Sequence, residues 1–99
     1  MANVHLDLQA GFAGDTVVVR AGGREISRRA DVTTDYSIGR ADSARLEVPS
    51  GAVELEIAVP AKRLSTRVAL DPVATPFLGI SVVGDRIEHR SSAKPFEYF

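Results

Sequence analysis

Apolar and polar residues alternate one by one along most of this chain. In Val4–Leu8 the first, third and fifth residues are apolar and the two between them are polar, and residues 64–70 show the same alternation. A period of two is the spacing of a β-strand that has one dry face and one wet face. The spacing of about 3.6 residues that marks a helix is sustained nowhere in the sequence. The pattern therefore predicts an all-β protein.

Three glycine-containing dipeptides, Gly22-Gly23, Ser50-Gly51 and Gly84-Asp85, separate neighbouring strands. Each suits a two-residue hairpin turn, because such turns need backbone angles that glycine adopts easily. Counting outward from the turns predicts the facing residues: Ala21 with Arg24, Arg20 with Glu25 and Val19 with Ile26; Val48 with Val53, Leu46 with Leu55 and Ala44 with Ile57; Val82 with Ile87 and Ile80 with His89. In the second hairpin Glu47 would face Glu54, and this like-charge pair needs a nearby cation, either Arg45 diagonally or Arg67 on a neighbouring strand.

The 99 residues are expected to form a single domain spanning 1–99. Seven or eight short strands with no helix-length segment between them predict a single antiparallel β-sandwich. Immunoglobulin-like and prealbumin-like topologies both fit this number of strands. The immunoglobulin hallmarks are a paired cysteine and a core tryptophan, and the chain contains neither residue. The choice between the two topologies stays open, and no family is assigned.

Charge and hydropathy exclude several classes of partner. The chain has 12 basic and 13 acidic residues, a formal net charge of −1, and the two signs are interspersed. We therefore expect binding neither to nucleic acid nor to anionic membranes, since both need a concentrated basic surface. No segment approaches the ~20 apolar residues of a membrane span, and the N-terminus lacks the pattern of a signal peptide. A soluble, cytoplasmic protein is expected if Met1 is the natural start; otherwise the compartment is unknown.

The sequence assigns no catalytic residue, no metal ligand and no cofactor. It has no cysteine, and its two histidines are His5, on the wet phase of the first strand, and His89, whose phase points toward the core. These opposite phases argue against a shared metal site. No serine has the Gly-x-Ser-x-Gly setting of a hydrolase nucleophile. The acidic residues Glu47, Glu54 and Glu56 are expected on an exposed sheet face, where they form a solvated patch.

The last six residues, Lys94 to Phe99, hold two of the four phenylalanines and one of the two tyrosines. Aromatic side chains are enriched at protein interfaces, so Phe96, Tyr98 and Phe99 are the candidate binding residues. The competing interpretation is that Phe96 and Phe99 cover one end of the core as part of a final strand.

These observations favour a non-catalytic binding or interaction module. Its expected partner is another protein or a second copy of the chain, reached through an edge strand or through the aromatic C-terminal tail. The loops at 37–43 and 71–76 are further places where recognition could occur. A small hydrolase or metal-dependent enzyme with a surface site is the alternative function.

Overall fold

The computed structural model describes residues 2–49 and 51–96. Eight strands form two packed four-stranded sheets, the arrangement of a β-sandwich, so the predicted all-β class and number of strands are confirmed. The strands are β1 (Ala2–Leu8), β2 (Asp15–Ala21), β3 (Arg24–Val32), β4 (Asp42–Val48), β5 (Val53–Val59), β6 (Leu64–Leu70), β7 (Phe77–Val83) and β8 (Arg86–Ser92). One 3₁₀ turn, Pro60–Lys62, joins β5 to β6.

The two sheets differ in how their strands are ordered. Sheet A has the order β4-β1-β7-β8, and sheet B has the order β3-β2-β5-β6. The first strand lies inside sheet A, where it runs antiparallel to β4 and parallel to β7. Sheet A is therefore mixed, and the prediction of a wholly antiparallel sandwich is wrong in this respect. The described residues form no helix with the length and apolarity that crossing a bilayer requires.

The core lies between the sheets and is built from the dry phase of the strands. On β1 the fully buried residues, and on β6 the buried or half-buried ones, are the alternate residues that the sequence pattern predicts. Phe12, in the loop between β1 and β2, is only 2% exposed and adds the largest fully buried side chain. Thr34 ties this loop down, because its hydroxyl accepts a hydrogen bond from the Phe12 amide and donates one to the Gln9 carbonyl.

The predicted hairpin at Ser50-Gly51 is wrong. β4 pairs with β1, whereas β5 pairs with β2 and β6, so the chain crosses between the sheets after β4. Ser50 itself lies outside the described residues. Leu46 and Leu55 are both fully buried in this arrangement, as they would be in a hairpin, because they enter one core from opposite sheets. Alternation therefore identifies the dry face of a strand without identifying its neighbour.

The hairpin at Gly22-Gly23 is confirmed only near its turn. Arg20 faces Glu25 as predicted, but a register shift then sets Val19 opposite Ser27 instead of Ile26. The extra residue on β3 is a β-bulge, and bulges redirect the side chains that follow them. Beyond it Arg29 faces Val17, whose side chain is buried, so Arg29 shares the inward face of sheet B.

The third hairpin, at Gly84-Asp85, is confirmed, with Val82 facing Ile87 and Ile80 facing His89. His89 is nevertheless exposed, so the prediction that it faces the core is wrong. β8 is an edge strand of sheet A, and its only buried residue is Ile87. His89 has the same phase as Ile87 but lies nearer the end of this edge strand, where the opposite sheet does not pack against it.

Candidate functional site

The outer face of sheet A brings several chemically distinctive side chains together. Residues that alternate with the core positions point outward, and neighbouring strands align them in rows across the sheet. One row contains Arg45, His5, Phe77 and Ser92. The next row contains Ser43, Asp7, Gly79 and Arg90.

An aromatic pair forms the floor of this face at one end. The parallel register sets His5 directly beside Phe77, and their rings stack with centroids 5.0 Å apart and planes inclined by 18°. Both side chains are half-buried. A stacked pair of this kind gives a flat, largely apolar surface on which a ligand side chain could rest.

Phe96, one of the three candidate binding residues, lies beside this floor. The Arg90 guanidinium carbon is 4.6 Å from the centre of the Phe96 ring, the geometry of a cation–π contact. Phe96 is half-buried, stands outside the core cluster and follows a strand that ends at Ser92. It therefore does not act as the core cover that the competing interpretation assigns to it. Tyr98 and Phe99 lie outside the described residues.

Three arginines from three separate elements reach the same place. Arg29 comes from β3, Arg40 from the loop before β4, and Arg45 from β4. With the aromatic side chains they enclose a groove of about 430 Å³. We call this the tail groove and define it by His5, Arg29, Arg40, Arg45, Phe77 and Phe96.

The tail groove carries an excess of positive charge. Its lining contains three arginines and a single carboxylate, that of Asp7, in a chain whose net charge is −1. Arg29 donates to the Ser43 carbonyl at 3.3 Å, and its Nε lies 3.9 Å from the Asp42 carboxylate. Within the part of the chain that the structure describes, Arg45 makes neither a hydrogen bond nor an ion pair. The Arg45 guanidinium is exposed and available to an anion.

A second hollow, of about 750 Å³, lies on the same face of sheet A. The loop residues Tyr36 and Ile38 border it and are 74% and 39% exposed. The Tyr36 hydroxyl accepts a hydrogen bond from the Gly11 amide at 3.3 Å, which holds the ring near the sheet. The Gln9 side chain covers Gly79, where an added Cβ would meet the amide group at 2.8 Å. Exposed apolar side chains thus border both ends of this face.

A third hollow, of about 1060 Å³, lies between the β2–β3 turn and the residues Pro49 and Ala52, and Arg45 lines both this hollow and the tail groove. Four arginines and four glutamates line it, so its charges balance. Arg20 contacts Glu56 at 3.1 Å, and Arg67 lies 3.9 Å from Glu54, which supplies the cation expected near that glutamate. Because its lining carries equal numbers of arginines and glutamates, the hollow favours neither an anion nor a cation.

The residues that the structure describes do not gather a cluster of metal-ligating side chains. Among residues 2–49 and 51–96, no three histidine, aspartate or glutamate side chains lie close enough to share a metal ion. His5 lines the tail groove and His89 the second hollow, so the two histidines do not meet. The Ser37 hydroxyl donates to Asp35 at 2.6 Å, and the Ser81 hydroxyl accepts from the Ala10 amide at 3.3 Å.

Most of the tail groove is not visible in the sequence. The composition of the C-terminal tail draws attention to Phe96, but no spacing relates Arg29, Arg40 and Arg45, which belong to different elements. The bulge in β3 and the β4–β1–β7 strand order bring these residues together. Besides Phe96, a local signal exists for His5, whose outward phase on β1 is correctly predicted.

Comparisons of this chain with protein-family models, with curated proteins and with solved structures give no match.

Proposed function

We propose that this protein is a non-catalytic protein-interaction module and that its binding surface is the outer face of sheet A, centred on the tail groove. The observation that carries the proposal is the half-buried aromatic floor of His5, Phe77 and Phe96, bordered by arginines from three elements. Aromatic residues and arginine are the types most enriched at interfaces and at their energetic centres.

The distribution of aromatic residues supports this face over the opposite one. Of the four phenylalanine and tyrosine residues that the structure describes, Phe12 is in the core, and Tyr36, Phe77 and Phe96 all border the outer face of sheet A. Small and charged side chains occupy the outer face of sheet B on β6, where Ser65, Arg67 and Ala69 are exposed. A solvated face needs no aromatic residues, whereas an interface uses them.

The partner could also bind by pairing with an edge strand, and the regular edge formed by β6 supports this second route. β6 is an edge of sheet B, pairs with β5 over seven residues without a register shift, and carries Arg67 as its only charge. β3, the opposite edge, has register shifts and five charged residues among its nine, features that protect an edge against pairing. A second copy of the chain or a foreign strand would therefore add beside β6.

We propose the prealbumin-like topology as the better of the two alternatives. In the immunoglobulin arrangement the first two strands neighbour each other in one sheet. Here β1 belongs to sheet A and β2 to sheet B. The eight-strand count and the absence of cysteine and tryptophan agree with this choice.

Photo-crosslinking tests the binding surface. A benzoylphenylalanine residue replaces Ser43 in the tail groove or Ser65 on β6, the edge strand of the second route; both serines are exposed and lie on edge strands of opposite sheets. In a lysate of the native cells we expect a defined protein adduct from position 43 and a much weaker one from position 65. Equal labelling at both positions, or none at either, would contradict the proposal.

The variant Phe96→Ala completes this experiment. Removing the ring should reduce the position-43 adduct while the melting temperature stays within about 2 °C of the parent's, because surface substitutions usually change stability by less than about 0.5 kcal/mol. An unfolded variant would show that Phe96 is a structural residue instead.

A further inference from the structure

We infer that the tail groove binds an acidic peptide segment in which carboxylates flank an apolar side chain. This inference rests on the proposed function and specifies the partner's chemistry. It depends on three features of the groove: its charge, its aromatic floor, and the edge of β4, where Arg29 occupies one backbone acceptor.

The charge of the groove calls for an anion. Arg29, Arg40 and Arg45 converge from three elements, and Asp7 is the only carboxylate in the lining. Asp42 lies 3.9 Å from Arg29 and Asp7 is part of the lining, so two carboxylates accompany three arginines, and a bound carboxylate would balance the remaining positive charge. Arg45 is the strongest attachment point because its guanidinium is exposed and makes no hydrogen bond or ion pair with the described residues. A guanidinium recognises a carboxylate through two parallel hydrogen bonds.

The aromatic floor of the groove favours a ligand with an apolar side chain between its carboxylates. His5 and Phe77 stack at 5.0 Å, and the ring of Phe96 already carries the Arg90 guanidinium on one face. Pro95 adds a further apolar wall. A small inorganic anion would leave this surface wet, whereas a leucine or phenylalanine side chain would remove it from water.

The edge of β4 favours recognition by side chains over strand addition. Arg29 reaches from sheet B and donates to the Ser43 carbonyl at 3.3 Å, so a backbone acceptor on this edge is already occupied. A peptide lying in the groove would therefore contact Arg45 and the aromatic floor instead of extending the ladder of sheet A.

The same groove is a poor fit for a polyanion. Nucleic-acid binding depends on many cations along an extended surface, not on a single groove with three arginines.

The test is a titration of the ¹⁵N-labelled 99-residue chain with three probes, followed by two-dimensional NMR. The probes are the capped peptide Glu-Leu-Glu-Phe-Glu, its neutral counterpart Gln-Leu-Gln-Phe-Gln, and inorganic phosphate. We expect the acidic peptide alone to shift the amide signals of His5, Ser43 and Arg45, while Ser65 and Ala69 on β6 do not move. Its affinity should fall as salt is added, since exposed charges are screened.

Two arginine variants make the test specific. Arg45→Gln should weaken the acidic peptide about fivefold or more, and Arg67→Gln, an exposed arginine on the other sheet, should leave the affinity unchanged. Both variants should keep the parent's spectrum away from the substituted position.

Several results would overturn the inference: no shift with millimolar acidic peptide, equal binding of the neutral peptide or of phosphate, or equal weakening in both variants. If the Ser43 photo-crosslink still forms in any of these cases, the proposed function stands and only the acidic peptide is excluded. If the crosslink also fails, both proposals fall.

Discussion

An ion pair between Lys62 and the buried Asp15 connects the 3₁₀ turn to the start of β2. The Asp15 side chain is 4% exposed and accepts hydrogen bonds from Lys62 Nζ at 2.5 Å and from the Ala13 amide at 2.9 Å. Burial alone would raise the pKa of Asp15. The two hydrogen bonds and the charge of Lys62 outweigh that effect together and hold the pKa below its ordinary value of 3.8.

Replacing Lys62 with methionine should destabilise the protein by about 1–2 kcal/mol at pH 7. The variant leaves a buried carboxylate without its cation, but Lys62 is 32% exposed, so the cost is below that of a fully buried pair. Because the folded pKa of Asp15 is depressed in the parent, the pair's contribution is present above pH 3.8 and is lost as pH falls through the folded value. The difference in the free energy of unfolding between parent and variant should therefore decrease as the pH falls from 7 to 3.

Urea denaturation at several pH values measures this gap. Lys94→Met is the matched control, because Lys94 is exposed and lies outside the Asp15 pair, and it should leave the free energy of unfolding unchanged. A gap for Lys62→Met that stays constant over the acid range would show that packing of the lysine chain, not charge, stabilises the fold.

Some individual positions could be predicted from the sequence and others could not. The outward phase of His5 follows from simple alternation and is correct, whereas His89 has the phase of a core residue and is exposed on an edge strand. Asp15 and Lys62 are 47 residues apart, and no local pattern relates them. Arg29 faces inward because one additional residue enters β3, a change that no turn-counting rule predicts.

The strands β4 and β5 show why a convincing hairpin can be wrong. Both strands alternate correctly, and both bury the residues that the pattern marks as dry. A hairpin and a crossing between sheets bury the same side chains, so hydrophobic pattern alone does not separate them. The hairpins at Gly22-Gly23 and Gly84-Asp85 do form, and there the turn and the nearest pairs are correctly predicted.

Engineered disulfides distinguish the two arrangements of β4. The chain has no cysteine, so each pair can be tested alone. Asn3→Cys with Glu47→Cys places the thiols on directly facing residues of β1 and β4, and this pair should close on mild oxidation. Glu47→Cys with Glu54→Cys should stay reduced, although a hairpin would place those residues face to face. Non-reducing mass analysis after proteolysis gives the result.

A disulfide between positions 47 and 54 that forms as readily as the one between 3 and 47 would restore the hairpin. It would also separate β4 from β1 and dissolve the row that contains Arg45 and His5.

The molecule as a whole depends on the layer of side chains between its sheets. Substituting Ile80 with alanine should cost about 2–5 kcal/mol, because this side chain is fully buried and its removal leaves a cavity. Val83→Ala on the same strand should cost less than about 0.5 kcal/mol, since Val83 is 43% exposed. Thermal or urea unfolding compares the two. Similar losses for both variants would mean that the dry face of β7 is wrongly assigned.

Only part of the tail groove could be predicted from the sequence, because its residues come from several strands. Alternation places His5 outward, and composition selects Phe96, so two members of the tail groove are visible in the sequence. The arginines join them only after the strand order is known, because Arg29 and Arg45 lie on edge strands of different sheets. Non-local assembly of this kind leaves no spacing to recognise.

The position of β1 has a consequence for the order of events during synthesis. This strand is made before the other seven, yet its two neighbours in the sheet, β4 and β7, follow tens of residues later. Sheet B and the pairing of β1 with β4 can form once residue 70 has emerged, whereas the parallel pairing of β1 with β7 waits for the strand that begins at Phe77. Until then one backbone edge of β1 is unpaired, and a nascent chain stalled before β7 would expose that edge to chaperones.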